Sequence, residues 1–196
     1  SGISITGATG VSYTAKQSGA YTVVIINSYS CTTTSSPITV TVNTFPTATI
    51  TPAGSTTLCQ GNSVVLNANT GTGYTYQWLK DEVIITEAIT SSYTVTQQGN
   101  YKVIVTNSYG CSTTSSVIAI TVNPLPPFAV ITAGGNTTFC SGDSVVLSII
   151  GSSGCTYQWK RSGVNITGAN GENYIAKQSG DYTIVITNSY GCTTTS

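Results

Sequence analysis

The amino-acid sequence predicts an all-β fold in which one small sandwich domain is copied in tandem. The segment Tyr21–Cys31 recurs as Tyr101–Cys111 and Tyr182–Cys192, at offsets of 80 and 81 residues (111 − 31 = 80; 192 − 111 = 81). Trp78 and Trp159 follow the same period (159 − 78 = 81). Runs rich in Thr, Val, Ile and Tyr alternate with Gly-, Asn- and Ser-containing turns, which is typical of short strands. A fixed period of this length predicts a folding unit repeated along the chain.

The period divides the chain into three units. Residues 1–43 are expected to be the C-terminal part of one repeat, 44–123 a complete repeat, and 124–196 a repeat that lacks its last strand. Pro46 and the proline cluster that begins at Pro124 predict short, stiff linkers between the units. Because the first 35 residues correspond to the last 35, we interpret the chain as a window on a longer repetitive polypeptide. The outer units would be completed by continuing chain, which we favour, or by a strand from a neighbouring subunit.

The strands of the central unit follow from alternating residues and from the turns that bound them. In order, they are expected at 63–68, around Tyr76 and Trp78, at 92–96, at 102–106, and from near Cys111 through 118–122. Tyr76 and Trp78 are two residues apart, so their side chains share one face of a strand. About seven short strands per period, separated by regular turns, is the pattern of an immunoglobulin-like sandwich.

Four residues define the expected core of this sandwich. Tyr101 stands where the tyrosine corner of such a fold lies. Leu66 and Val103 occupy the places where many immunoglobulin domains carry a disulfide between their two sheets. We therefore expect aliphatic packing against Trp78 instead of a central disulfide. The same corner is expected at the copies of Tyr101, Tyr21 and Tyr182.

Composition argues against several functions. The chain has six acidic and six basic side chains, no His and a net charge of zero. Nucleic-acid binding needs clustered Lys and Arg, Ca²⁺ needs convergent carboxylates, and zinc needs closely spaced Cys or His. Without His, no supported nucleophile–base pair can be built. We therefore expect no catalytic site, cofactor, metal or nucleic-acid partner. The sequence also contains no membrane-spanning run, and its cysteines fit an oxidising, extracellular compartment.

Four motifs carry a resemblance to a known family. They are Phe139–Leu147, Tyr157–Trp159, Gln178–Asn188 and the pair Gly191 and Cys192. Together they resemble the tandem Ig-like and PKD-like repeats of very large secreted surface proteins of the Bacteroidetes. The resemblance implies export by the type IX route and service as an adhesin, a surface fibre or a spacer in polysaccharide-degrading enzymes. It implies no functional residue, because the shared motif is a folding motif.

Five of the six cysteines follow the repeat, and two pairings are open. Cys31, Cys111 and Cys192 share one place in the repeat, and Cys59 and Cys140 share another. Within a unit, Cys59 would bond to Cys111 and Cys140 to Cys192, each 52 residues apart (111 − 59 = 52; 192 − 140 = 52). Between neighbouring units, Cys59 would bond to Cys192, and the others would face cysteines outside this sequence.

Sandwich topology favours the bond between neighbours. Cys59 precedes the second strand of its unit and Cys111 follows the sixth, and these two strands run in the same direction. Each strand spans roughly 20 Å, whereas a disulfide needs Cα atoms within about 7 Å. In a head-to-tail array the bottom of one unit meets the top of the next. We therefore expect Cys59 to bond to Cys192.

Two further sets of residues are singled out. Cys155 replaces Tyr74 of the preceding copy and has no periodic partner, so a free, largely buried thiol is expected. Tyr29, Tyr109 and Tyr190 lie in the same turn of each copy. They are either a repeated aromatic contact for a sugar or, as we favour, side chains that pack against the preceding unit.

These observations predict a structural repeat segment of an extracellular filament or cell-surface adhesin, acting as a rod-like stalk or fibre. Its expected partners are neighbouring repeats or identical subunits, with surface glycans as a further candidate. The alternative is a carbohydrate-binding or spacer module of a secreted polysaccharide-degrading enzyme.

Overall fold

The computed structural model describes residues 2–196, and in this range the protein has twenty strands and no helix. We call residues 2–43, 44–123 and 124–196 the first, central and last segments. The first has β1 (Gly19–Tyr21), β2 (Val24–Ile26), β3 (Thr32–Thr34) and β4 (Ile38–Val40). The central has β5 (Ile50–Pro52), β6 (Thr57–Cys59), β7 (Val64–Ala68), β8 (Thr75–Lys80), β9 (Val83–Ile84), β10 (Ser92–Val95), β11 (Gly99–Thr106), β12 (Ser112–Thr114) and β13 (Ile118–Asn123). The last has β14 (Thr132–Ala133), β15 (Val145–Ser148), β16 (Thr156–Arg161), β17 (Val164–Asn165), β18 (Asn173–Ala176), β19 (Tyr182–Thr187) and β20 (Thr193–Thr195).

The central segment is an immunoglobulin-like sandwich of two sheets. One sheet has the strand order β5-β7-β10. The other has the order β6-β13-β11-β8-β9, with β12 also paired to β11. All pairs are antiparallel except β6 with β13, which is parallel. The predicted all-β fold class is confirmed by this topology.

The core of the central segment lies between the two sheets. Leu66 on one sheet and Trp78 and Val103 on the other have no exposed surface. The Trp78 indole N–H donates a hydrogen bond of 2.9 Å to the Thr90 carbonyl, so its one polar atom is paired. This is the expected arrangement, in which aliphatic packing against a tryptophan replaces an inter-sheet disulfide.

A tyrosine corner is present in all three segments. The Tyr101 hydroxyl donates to the Gln97 carbonyl at 2.9 Å. The equivalent bonds are Tyr21 to Gln17 at 2.9 Å and Tyr182 to Gln178 at 2.8 Å. Each corner ring lies within 6.1 Å, centroid to centroid, of a second tyrosine ring; the second rings are those of Tyr13, Tyr93 and Tyr174.

The last strand of the repeat is broken into two pieces, whereas the sequence predicted one long strand. Ser115, between β12 and β13, is buried. Its Oγ accepts a 3.1 Å bond from the Val103 N–H and donates to the Ser116 carbonyl at 2.9 Å. The side chain thus replaces a backbone acceptor and breaks the ladder. Ser35 and Ser196 make the same bond, to the N–H groups of Val23 and Ile184.

The last segment repeats most of the sandwich. Its sheets have the orders β14-β15-β18 and β17-β16-β19-β20. They enclose a second core around Trp159 and Ile184, neither of which is exposed. The described residues contain no counterpart of the β6–β13 pair: Thr138–Cys140, which corresponds to Thr57–Cys59, is not a strand.

The first segment has strand pairs but no enclosed core. Here β1 pairs with β4 and β2 with β3. Val23 and Ile25 correspond to Val103 and Val105 (23 + 80 = 103; 25 + 80 = 105). They are 54% and 60% exposed, whereas both central counterparts are 0% exposed. Residues whose pattern is that of a core therefore face solvent in this segment.

Candidate functional site at the junctions between segments

A five-residue turn recurs in each segment: it is Asn-Ser-Tyr-Gly-Cys in the central and last segments, where it faces the preceding linker, and it has Ser30 in place of the glycine in the first. In the last segment, the Asn188 Oδ1 accepts bonds from the N–H groups of Tyr190 and Cys192 at 3.1 and 3.0 Å. The Gly191 N–H donates to the Asn188 carbonyl at 3.0 Å. Gly191 has φ +79°, a left-handed conformation that glycine adopts without a side-chain clash. The asparagine thus orients the cysteine four residues later.

The same asparagine also reaches across the junction. The Asn188 Nδ2 donates a 2.8 Å bond to the Pro124 carbonyl in the linker. Its counterpart, the Asn107 Nδ2, donates a 2.8 Å bond to the Thr44 carbonyl in the preceding linker. An amide suits this position because its oxygen accepts within the turn while its nitrogen donates across the junction. Both described junctions therefore share this hydrogen bond.

A disulfide joins the central and last segments. Cys59 is bonded to Cys192, with the two Cα atoms 5.6 Å apart and a sequence separation of 133. This is the pair favoured by the sandwich topology. Cys59 ends β6 and pairs in register with Asn123, the last residue before the linker. Cys192 is only 1% exposed, so the bond lies inside the junction.

A second side chain of the last segment binds the same linker. The Thr194 Oγ1 donates a 3.1 Å bond to the Pro126 carbonyl. The junction between the central and last segments is thus crossed by the chain itself, by the disulfide and by two side-chain hydrogen bonds.

The other candidate cysteines are unpaired among the described residues. Cys31 and Cys140 are exposed, and Cys111 and Cys155 are half-buried. Cys155 packs against the second core, but it is less buried than the sequence predicted. The Cys111 Sγ lies 3.9 Å from the Asn43 carbonyl, so it faces the junction between the first and central segments.

The repeated tyrosines are more exposed than we expected. Tyr29, Tyr109 and Tyr190 are 86%, 69% and 62% exposed. For Tyr109 and Tyr190, which have a preceding segment in this sequence, the rings do not pack closely against it as we favoured from the sequence. The turn directs its asparagine and cysteine to the junction and leaves its tyrosine ring in solvent.

The described residues 2–196 contain no group of three or more His, Cys, Asp or Glu side chains placed to hold a metal ion. Within the same range, no helix has the length and apolarity needed to cross a membrane. The charged side chains are scattered, and Lys102 forms an exposed ion pair with Glu82 at 2.5 Å.

One buried tyrosine has a perturbed pKa. Burial, together with the smaller effects of the nearby Tyr93 and Asp81, disfavours the phenolate and raises the pKa of Tyr101 to about 12. The neutral hydroxyl is the form that donates to Gln97. This perturbation belongs to the tyrosine corner of the sandwich.

Comparison with known proteins gives partial likenesses. No protein-family model matches the chain. The Decoration protein of Escherichia phage T5 is 43% identical over 68 residues, which are 32% of this chain and 42% of that protein. The chain thus matches less than half the length of that curated relative, and the likeness does not assign the chain to its family.

Solved structures with related folds are sandwich domains. The fibronectin(III)-like modules of Clostridium thermocellum CbhA are 11% identical, with a TM-score of 0.41 over 75% of this chain and 90% of theirs. A structure from a 1.5-MDa bacterial ice-binding adhesin is 14% identical, with a TM-score of 0.38 over 89% of this chain and 70% of its own. The fold assignment depends on the strand topology described above, since these overlaps are too low to carry it.

Proposed function

We propose that this chain is a structural repeat segment of an extracellular filament or cell-surface adhesin, with a rod-like stalk or fibre as its form. The observation that carries the proposal is the junction. The same asparagine hydrogen bond crosses both described junctions, and a buried disulfide reinforces one of them. Side chains that fix the position of one unit relative to the next suit a stalk or fibre, which keeps its two ends apart.

We also propose the boundaries, partners and location of the repeat units. The three units are bounded at 1–43, 44–123 and 124–196, and they act without catalysis, cofactor or metal. The partners are neighbouring repeats or identical subunits. The location is outside the cell, which agrees with the buried disulfide. The resemblance to Bacteroidetes surface repeats supports a bacterial origin of that group and export by the type IX route.

Immunogold labelling of intact cells tests this role. Antibodies raised against the 196-residue polypeptide should label thin extended structures outside the cell. Label confined to the cytoplasm would refute the proposal. A strain that lacks the gene provides the matched control, because it should show no label.

The exposed tyrosines support a second candidate function, a carbohydrate-binding or spacer module beside a polysaccharide-degrading domain. An aromatic face can stack on a sugar ring, and the three exposed rings recur at intervals of 80 and 81 residues (109 − 29 = 80; 190 − 109 = 81). Binding to a glycan array that is lost in Tyr109→Ala plus Tyr190→Ala would favour this candidate. The control is Tyr74→Ala plus Tyr174→Ala, which alters two tyrosines that pack on the cores.

A further inference from the structure

An open cleft lies at one edge of the last segment, where β17 and β18 come close together. Its volume is about 610 Å³, within the range of roughly 300–1,000 Å³ that small-molecule sites occupy. The cleft borders β17, which ends its sheet on the side away from β20, as β9 ends the corresponding sheet of the central segment. The residues that line it include Arg161, Asn165, Ile166, Tyr174, Gln178 and Ser179.

Arg161 is the one charged side chain among the described residues that line the cleft. A Cβ on Gly180 would lie 2.8 Å from the Arg161 Cγ, so the aliphatic part of the arginine passes directly over this glycine. Asp181, next to the glycine, has an exposed side chain, and within residues 2–196 Arg161 forms no salt bridge. The guanidinium is therefore held at the cleft without a protein carboxylate to neutralise it.

The corresponding basic residue of the central segment is engaged by its own segment. Lys80 and Gln97 correspond to Arg161 and Gln178 (161 − 80 = 81; 178 − 97 = 81). The Lys80 Nζ donates a 2.9 Å hydrogen bond to the Gln97 Oε1, so these two polar groups satisfy each other. An arginine in place of the lysine adds a planar group with paired N–H donors, which matches a carboxylate better than an ammonium does.

The turn beside the basic residue also differs in charge between the two segments. In the central segment this turn contains Asp81 and Glu82, whereas the last segment has Ser162 and Gly163 there. Two carboxylates beside Lys80 disfavour the approach of an anion, because like charges repel. Their absence beside Arg161 makes the last segment the better place for an anionic ligand.

The uncharged groups of the cleft suit a sugar ring. The amides of Asn165 and Gln178 and the hydroxyl of Ser179 can donate hydrogen bonds to sugar hydroxyls and accept hydrogen bonds from them. The half-buried Ile166 and Tyr174 offer apolar surface for the C–H groups of the ring. Combined with the guanidinium, this set of groups is complementary to a sugar that carries a carboxylate.

We propose that this cleft binds a uronic acid unit of an acidic polysaccharide, with the Arg161 guanidinium paired to the sugar carboxylate. The proposal goes beyond the filament role and adds a binding site to one repeat. It is also independent of the exposed turn tyrosines, since none of them lines the cleft. Its test measures binding by the pure polypeptide, whereas the filament role is tested by labelling cells.

Isothermal titration calorimetry with the purified 196-residue polypeptide tests the proposal. The probes are trigalacturonate and trimannuronate, and their methyl esters serve as uncharged controls of similar shape. We expect saturable binding of at least one charged probe, with its ester and a triglutamate peptide at least tenfold weaker. Binding of neither charged probe, or equal binding of the ester or the peptide, would overturn the proposal.

A matched pair of variants locates the site. Arg161→Gln removes the positive charge from the cleft and should weaken binding of the charged probe at least tenfold. Lys80→Gln is the control, since it makes the same change at the corresponding place in the central segment and should leave binding unchanged. Unchanged affinity in Arg161→Gln, or equal losses in the two variants, would contradict the proposal.

Discussion

At the scale of single residues, the turn asparagine stabilises both the turn and the junction. The Asn188 Oδ1 accepts hydrogen bonds within the turn, and its Nδ2 donates one to the linker. Asn188→Asp should therefore keep the bonds within the turn and lose the 2.8 Å bond to Pro124. Loss of one such bond costs about 1 kcal/mol. Because Cys192 is buried, reduction of the disulfide requires opening of the junction, and its rate should rise about fivefold.

The measurement is the rate at which dithiothreitol reduces the Cys59–Cys192 bond. Asn107→Asp is the matched control, since it makes the same change at the other junction and should leave this rate unchanged. Equal rates in Asn188→Asp and the unmodified chain would mean that the asparagine bond does not hold the junction closed.

Ser115 is the second residue whose side chain has a defined task. Ser115→Ala leaves the Val103 N–H without its 3.1 Å acceptor in a buried place, and an unpaired buried donor costs about 1–3 kcal/mol. We expect the free energy of unfolding, measured with urea, to fall by that amount. Ser116→Ala is the control, because Ser116 is exposed and contributes only its backbone carbonyl. A loss of similar size in both variants would contradict the role given to the Ser115 hydroxyl.

At the scale of strands and corners, the tyrosine corner makes stability depend on alkaline pH. The pKa of Tyr101 is raised to about 12 in the fold, above the ordinary value of 10 that the unfolded chain has. The folded state therefore binds the proton more tightly. The stability that this provides is fully present below pH 10 and is lost as the pH rises through about 12.

Tyr101→Phe should accordingly flatten the fall in stability between pH 10 and 12. At pH 7 it should also lower the free energy of unfolding by about 1 kcal/mol, because the bond to Gln97 is lost. Urea unfolding at a series of pH values measures both effects. Tyr109→Phe, which removes an exposed hydroxyl, is the control at pH 7. A variant with an undiminished fall above pH 10 would contradict the assignment.

The sequence predicts core residues and turns well where residues close together in the chain determine them. Alternation places Trp78 and Leu66 in the core, and the repeated Gln-x-Gly-x-Tyr pattern places the corners. It does not predict β6, because this strand forms by parallel pairing with β13, about sixty residues later in the chain. It also misses the break at Ser115, which depends on a side chain that replaces a backbone acceptor. Of the two alternatives for Tyr109, it favours packing on the preceding unit, whereas Asn107 and Cys111 contact the linker and the ring is exposed.

At the scale of the whole molecule, the Cys59–Cys192 disulfide links the central segment to the last segment. In the chain-entropy description, closing a loop of 133 residues stabilises the fold by about 5 kcal/mol. Cys59→Ser plus Cys192→Ser should therefore lower the free energy of unfolding by up to that amount. Denaturant unfolding under oxidising conditions measures it, with Cys31→Ser, at an exposed free thiol, as control. An unchanged midpoint in the double variant would show that the two segments unfold independently of the bond.

The same bond changes how the molecule responds to pulling. Tension along the chain reaches Cys59 through β5 and β6, crosses the bond over a 5.6 Å Cα separation and leaves Cys192 through β20, so the polypeptide between the two cysteines carries no load. At about 3.5 Å per residue, the 133 residues hold about 460 Å of hidden contour length. Force spectroscopy should therefore record that extra length only after reduction. In an oxidising environment, the polypeptide inside the loop can unfold without adding its length to the molecule.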